Sequence, residues 1–181
     1  MGGSLGARSI NEGIIANIEK IRANSDIQFI WQTGKLYFEE MKKRADELGK
    51  PANLTVTDFV SDMASALSAA DVVVSRAGAG SISEFALLGK AVILVPSPNV
   101  SEDHQTKNAM ALVDKDAAIY VADANVKEEL IEKTIETVND TMKIALLEAN
   151  ILKMGKPNAA SEIADEVLKL ADTYIEKRTR R

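Results

Sequence analysis

The chain has 181 residues, 46% of them hydrophobic, with 22 Lys and Arg against 27 Asp and Glu, a formal charge of -5 and no cysteine. That length suits one domain with a real core, and the missing cysteine excludes disulfides, thiolate metal sites and a cysteine nucleophile. The acidic balance, with both signs interspersed, argues against a nucleic-acid partner held through phosphates; no apolar run nears the ~20 residues of a bilayer span, and neither such a span nor a secretory leader is expected.

Met1 is followed at once by Gly2-Gly3-Ser4-Leu5-Gly6. In parallel α/β folds such a turn leaves a strand and opens a helix, yet no strand precedes it here. The expectation is a first strand cut away. In the doubly wound order 3-2-1-4-5-6 that strand is central, so its loss leaves two unpaired edges inside the sheet. Ile10, Ile14, Ile15, Ile18 and Ile21 then recur at helical spacing and present one apolar stripe. Short β-branched runs follow at Ile27 to Trp31, Leu54 to Thr57, Val72 to Ser75, Val92 to Val95 and Ala118 to Val121, separated by helical stretches. The alternation predicts βα units over about residues 2–122 and a parallel sheet with helices on both faces. From there helices alone are predicted, at Lys127 to Asn139, Thr141 to Lys153 and Asn158 to Glu176, with Gly155 and Pro157 as stop and restart. The basic end, residues 177–181, is expected to fray.

Two glycine-rich turns carry the chemistry. Besides the first, Arg76-Ala77-Gly78-Ala79-Gly80-Ser81 lies between the run Val72 to Ser75 and a helix ending at Leu88. Glycines let backbone N–H groups approach an anion, and a helix N-terminus adds unpaired donors and a favourable dipole. Either turn alone also suits a helix packed tightly on a sheet. Counted with the cut strand, however, they follow strands one and four and flank the switch point where open α/β sheets bind ligands. Neither matches the dinucleotide fingerprint or a Walker loop, which disfavours nicotinamide chemistry and P-loop hydrolysis.

Around these turns stand further candidates. Glu84 follows Ser81 by one helical turn and suits ribose hydroxyls, or else simply complements the dipole. Arg76, ending an apolar strand, suits either a phosphate or a structural carboxylate. His104 and Gln105, in the polar stretch Pro96 to Asn108, can reach a sugar, although a lone histidine at a helix start is commonly a local hydrogen-bond partner. Val60 and Met63, in Phe59-Val60-Ser61-Asp62-Met63, offer backbone groups and an apolar wall to a flat ring, with Met63 equally suited to the core. Thr33-Gly34-Lys35 reads as a turn. Asp114-Lys115-Asp116 reads as a solvated helix end rather than a D-x-D metal site, and no metal site or cofactor is predicted.

Four motifs in order resemble the MurG family: Gly2-Gly3-Ser4-Leu5-Gly6-Ala7-Arg8, Asp58 to Met63, Ser75-Arg76-Ala77-Gly78-Ala79-Gly80-Ser81-Ile82-Ser83-Glu84, and Asp103-His104-Gln105-Thr106-Lys107-Asn108-Ala109. The resemblance spans the chain as that family's C-terminal, donor-binding half. It implies a Rossmann-like half of a GT-B glycosyltransferase that moves GlcNAc from UDP-GlcNAc to lipid-linked muramoyl-pentapeptide in peptidoglycan synthesis. By resemblance Ser4 would contact the diphosphate and backbone at Val60 the uracil, with Met63 and Arg76 near the site. Gly78, Ala79, Gly80, Ser81, Ile82 and Ser83 would close over uridine and phosphates, Ser81 standing where the family often has Thr. Glu84 would hold the ribose and Gln105, beside His104, the sugar hydroxyls.

The acceptor and the general base would belong to an N-terminal half, so the resemblance assigns no catalytic residue to this chain. It implies peripheral attachment at the cytoplasmic face of the bacterial membrane, mainly through that other half, and no transferase activity in this part alone. Two other readings stay open. One is a stand-alone donor-binding subunit of a two-component GlcNAc transferase. The other is a related GT-B enzyme, such as a diacylglycerol glycosyltransferase or a UDP-sugar hydrolase or epimerase.

Overall fold

A computed structural model describes residues 6–99 and 103–179, with side chains to residue 171. Strands and helices alternate in its first two thirds: α1 (Arg8–Ala16), α2 (Ile18–Ala23), β1 (Phe29–Gln32), α3 (Phe38–Glu47), β2 (Leu54–Thr57), α4 (Met63–Ala69), β3 (Val72–Ser75), α5 (Ala79–Leu88), β4 (Ala91–Leu94), α6 (His104–Val113) and β5 (Ile119–Tyr120). A 3-10 turn (Asp123–Asn125) leads into α7 (Val126–Asn139), α8 (Thr141–Leu152) and α9 (Ala159–Thr179).

All described strand pairs are parallel, but they form two sheets, β1-β2 and β3-β4-β5. The division falls between β1 and β3, where the expected order placed the cut strand. β4 is buried along its whole length, as the middle strand of its sheet should be.

Helices cover both faces, and the core has three parts. Phe85, Ala86, Val92, Leu94, Leu112 and Ile151 pack one face of the three-stranded sheet. Ile10, Ile93, Val95, Val126 and Leu130 pack its other face. Ile15, Ile21, Trp31, Met41, Leu54 and Ile131 fill the space beside the two-stranded sheet. Helices α1 and α7 each contribute to the last two parts and so tie the sheets together.

The isoleucine stripe is buried as its spacing predicts, yet it belongs to two helices rather than one. Asn17 interrupts them with φ -115° and ψ 22°. Its amide donates to the carbonyls of Gly13 and Lys127 at 2.8 and 2.7 Å, so it takes helix-type partners and docks α1 on α7 at once. Helix starts follow cap chemistry at Asp62 and Asp140, whose carboxylates accept from the N–H of Ser65 and Lys143. Helix α9 continues through Thr179, beyond the expected end at Glu176; Arg180 and Arg181 lie outside the described residues.

Two glycines permit the close fits of α1. Gly6, at φ 81°, leads the chain in with its Cα against the Thr33 carbonyl, so a Cβ there would overlap that oxygen. Gly13 meets Val126 of α7 so closely that an added methyl would run into Val126 Cγ1. Gly13→Ala should cost about 1–3 kcal/mol by overpacking. Urea denaturation checks this, with part of the loss recovered when Val126→Ala is added to the same chain.

Candidate functional site

The C-terminal ends of β3 and β4, the start of α1 and the start of α7 surround a crevice of about 760 Å³. Parallel strands deliver their loops to one edge, so the second glycine turn, the α6 entry loop and the 3-10 turn all open there. Gly78, Ser81 and Gln105 line it, together with Gly6, Ala7 and Arg8 from the end of the first turn. Ser4 lies outside the described residues.

The second turn answers the question of tight packing. A Cβ placed on Gly78 or Gly80 would meet nothing within 4 Å, and Gly78 has an ordinary extended backbone at φ -71°. Neither close packing nor a left-handed turn accounts for glycine at these positions. What glycine does there is leave the N-terminal amides of α5 uncovered, which is the arrangement that suits an anion.

Arg76 lines the crevice and is held there by several structural partners. Its guanidinium donates to the carbonyls of Val95 and Pro96, each at 3.1 Å, to the Asp123 carboxylate, and to Ser9 Oγ at 2.8 Å. Ser9 Oγ in turn donates to Asp123. One half-buried guanidinium thus clips the ends of β3 and β4 to α1 and to the 3-10 turn. Sequence pattern could not reveal these partners, because Asp123 is 47 residues from Arg76 and has no motif around it.

Glu84 and Ser83 are exposed on α5, the Ser83 hydroxyl donating back to Ala79 C=O. Ile82 packs against the core beneath. Gln105 Oε1 accepts from Ser97 N–H at 2.9 Å and shapes the α6 entry loop, while His104 is exposed beside it. Asn108 donates to Ala77 C=O and fastens α6 to the second turn. Val60 and Met63 are not brought to the crevice: both line a separate groove between β1 and β3, and Met63 packs on the core. Asp114 and Asp116 are exposed at the end of α6, as expected of a solvated pair, and Thr33-Gly34-Lys35 is a turn whose Thr33 is buried. Among the described residues no group of three or more His, Asp or Glu is placed to hold a metal, and no helix is long and apolar enough to cross a membrane.

Glu12, Tyr37 and Lys127 also reach the crevice wall. Glu12 receives two bonds from the Arg44 guanidinium, at 2.6 and 3.0 Å. Those bonds hold its carboxyl below the ordinary glutamate range against the opposing effect of burial, and the charges of Arg44, Lys127 and Arg8 add to the effect.

A family model described as the glycosyltransferase family 28 C-terminal domain matches residues 1–167. The chain belongs to that family. Two curated relatives, from Bacteroides fragilis and Phocaeicola vulgatus, are named UDP-N-acetylglucosamine--N-acetylmuramyl-(pentapeptide) pyrophosphoryl-undecaprenol N-acetylglucosamine transferase. They are 56% and 57% identical over 94% and 96% of this chain. The chain spans 45% and 46% of their length. The crystal structure of MurG from Acinetobacter baumannii matches with TM-score 0.80 at 30% identity, covering 93% of this chain and 48% of that one. The fold is thus that of the C-terminal half of a GT-B transferase, and the resemblance read from the motifs holds. A solution structure of ALG13, at TM-score 0.55 and 18% identity, shares the fold alone.

Two outcomes follow for this family 28 domain. Asp123→Ala should cost about 2 kcal/mol at neutral pH by stranding a half-buried guanidinium, read as a lowered urea midpoint. Glu12→Gln should cost about 0.5–1 kcal/mol, discounted for solvent screening of a partly exposed pair. Because the folded Glu12 carboxyl titrates below its unfolded value, its contribution is full above the ordinary glutamate range and lost as pH falls through the depressed folded value. Denaturation midpoints of the parent and the Glu12→Gln chain should therefore converge on acidification.

Proposed function

We propose that the crevice is the donor site for UDP-GlcNAc, and that in a protein of the relatives' length this domain serves transfer of GlcNAc to lipid-linked muramoyl-pentapeptide. The observation that carries the reading is the uncovered α5 terminus: two glycines with no packing reason, at a helix start whose Gly78 and Ser81 line a crevice in a family 28 domain. The relatives' names supply the donor and the acceptor.

In this reading the diphosphate lies against the backbone amides of Gly78 to Ser81 and the first turn at Ser4, held by oriented N–H dipoles in place of a cation cluster. Dipoles fixed by the fold need little reorganisation as charge develops on the leaving UDP. Glu84, free of a core role on the exposed face of α5, takes the ribose hydroxyls as acceptor. Gln105 and His104 take the sugar hydroxyls from the α6 entry. Val60 and Met63 belong to the uracil side, through backbone and an apolar wall. Arg76 acts through position, fixing the strand ends from which the cradle rises. The acceptor and the base that deprotonates its hydroxyl are assigned to the other half of such a protein. A lipid-linked acceptor requires work at a membrane surface, and we place the whole protein peripherally on the cytoplasmic face.

Calorimetric titration of the chain with UDP-GlcNAc should give saturable binding that is stronger than with UDP-glucose. Glu84→Ala should weaken it by about tenfold or more, the loss of a charge-assisted hydrogen-bond pair, without moving the urea midpoint. Gly78→Ala should weaken it as well, by covering the cradle with a methyl that touches nothing else. A chain that melts cooperatively and shows no saturable heat with UDP-GlcNAc would overturn the reading. Incubated alone with UDP-GlcNAc and the lipid acceptor, the chain should form no product.

A further inference from the structure

The amides of the α5 terminus carry dipoles but no net charge, so a diphosphate seated on them still needs counter-charges from elsewhere in the crevice. Five charged side chains line that crevice: Arg8, Glu12, Arg76, Asp123 and Lys127. Two of them are cancelled by each other or from outside. Arg76 is bonded to Asp123, and Glu12 is held through both carboxylate oxygens by Arg44 of α3, a residue that does not line the crevice. Arg8 and Lys127 are left. Both are exposed, and among the described residues neither side chain has a hydrogen bond or an ion pair. Glu12 follows Arg8 by four residues, the helical spacing at which opposite charges meet, yet the Arg44 fork takes both of its oxygens instead. Both charges nonetheless lie near enough to Glu12 to help keep it ionised. In a chain whose formal charge is -5, the crevice thus keeps a surplus of two positive charges, one on the first residue of α1 and one on the second residue of α7. The backbones that carry them are fixed against each other, since Ser9, next to Arg8, bonds Asp123 just ahead of α7, and the Asn17 amide bonds the Lys127 carbonyl.

We propose that Arg8 and Lys127 are the counter-charges of a bound diphosphate, meeting its non-bridging oxygens from the α1 and α7 side of the crevice while the α5 amides hold it. That this diphosphate is the donor's rests on the reading given under Proposed function. The pair also acts on the order of affinities. Free UDP carries about one more negative charge than the sugar-bearing diphosphate, because its terminal phosphate ionises a second time near ~pH 6. Two cations without partners therefore favour the product over the donor on charge, against the sugar contacts that favour the donor. Arg8 and Lys127 set how firmly UDP is retained and make its release depend on ionic strength.

The test is calorimetric titration in metal-free, low-salt buffer at about pH 8, with the terminal phosphate of UDP fully ionised. The probes are inorganic pyrophosphate, UDP and UDP-GlcNAc. Pyrophosphate should bind the parent chain saturably, with an affinity that falls as salt is added. In the chain carrying Arg8→Gln and Lys127→Gln, pyrophosphate and UDP should each bind about tenfold more weakly, with a flatter salt dependence. UDP-GlcNAc should lose less than UDP, so that the ratio of the two affinities shifts toward the donor, which a merely structural role would not produce. The urea midpoint should stay put, since neither side chain has a partner in the fold. Arg8→Lys with Lys127→Arg keeps both charges and should retain most of the pyrophosphate affinity. No saturable pyrophosphate binding by the parent overturns the proposal, as does an equal affinity in the glutamine variant or an equal loss in the charge-keeping one. If pyrophosphate binds through Arg8 and Lys127 and UDP-GlcNAc does not bind, the donor reading fails and the pair of counter-charges stands. If UDP-GlcNAc binds through Glu84 and is indifferent to both charges along with UDP, the donor reading stands and the proposal fails.

Discussion

Everything in this fold depends on helices α1 and α7 lying across two sheets that share no strand pairing among the described residues. Sheets are ordinarily held in register by their own ladders; here the relation between β1-β2 and β3-β4-β5 is carried by side-chain packing. Gly13 allows the helices to approach, Ile15 and Ile131 hold one sheet, Ile10 and Leu130 hold the other, and the Asn17 amide bonds directly to the Lys127 carbonyl. Apolar packing is non-directional, so the few directional contacts across this joint decide where its parts settle.

The Arg76 clip is the polar counterpart of that joint. It stands at the C-terminal edge, where an unpaired guanidinium would be costly to bury, and its partners come from three segments: α1, the strand β4 exit and the 3-10 turn. The cradle at Gly78 and Gly80 begins two residues after this clip in sequence order and so inherits its placement. An open glycine turn is useful only if its neighbours are rigid, since the amides must already point to one locus when an anion arrives.

Much of this architecture was legible from the chain alone. Leu54 to Thr57 and Val72 to Ser75 are strands to the residue, because β-branched runs bounded by turns have few other uses. Helix α8 begins at Thr141, where the sequence pattern starts it. What was not legible is long-range. The break at Asn17 depends on a carbonyl of α7, the role of Arg76 depends on Asp123, and Val60 and Met63 face a groove that exists only once both sheets are in place. Periodicity reports which face of an element is apolar and is silent on which polar partner will stand opposite.

Asn17 and Lys127 are 110 residues apart. A polypeptide emerging from a ribosome makes α1, β1 and β2 long before α7 exists to cover them. The two-stranded unit must therefore wait, with Trp31 and the isoleucine stripe incompletely covered, until most of the chain has been synthesised. The helix pair that gives the finished domain its frame makes its folding late and cooperative, and makes the nascent chain the form in which it is most vulnerable to aggregation.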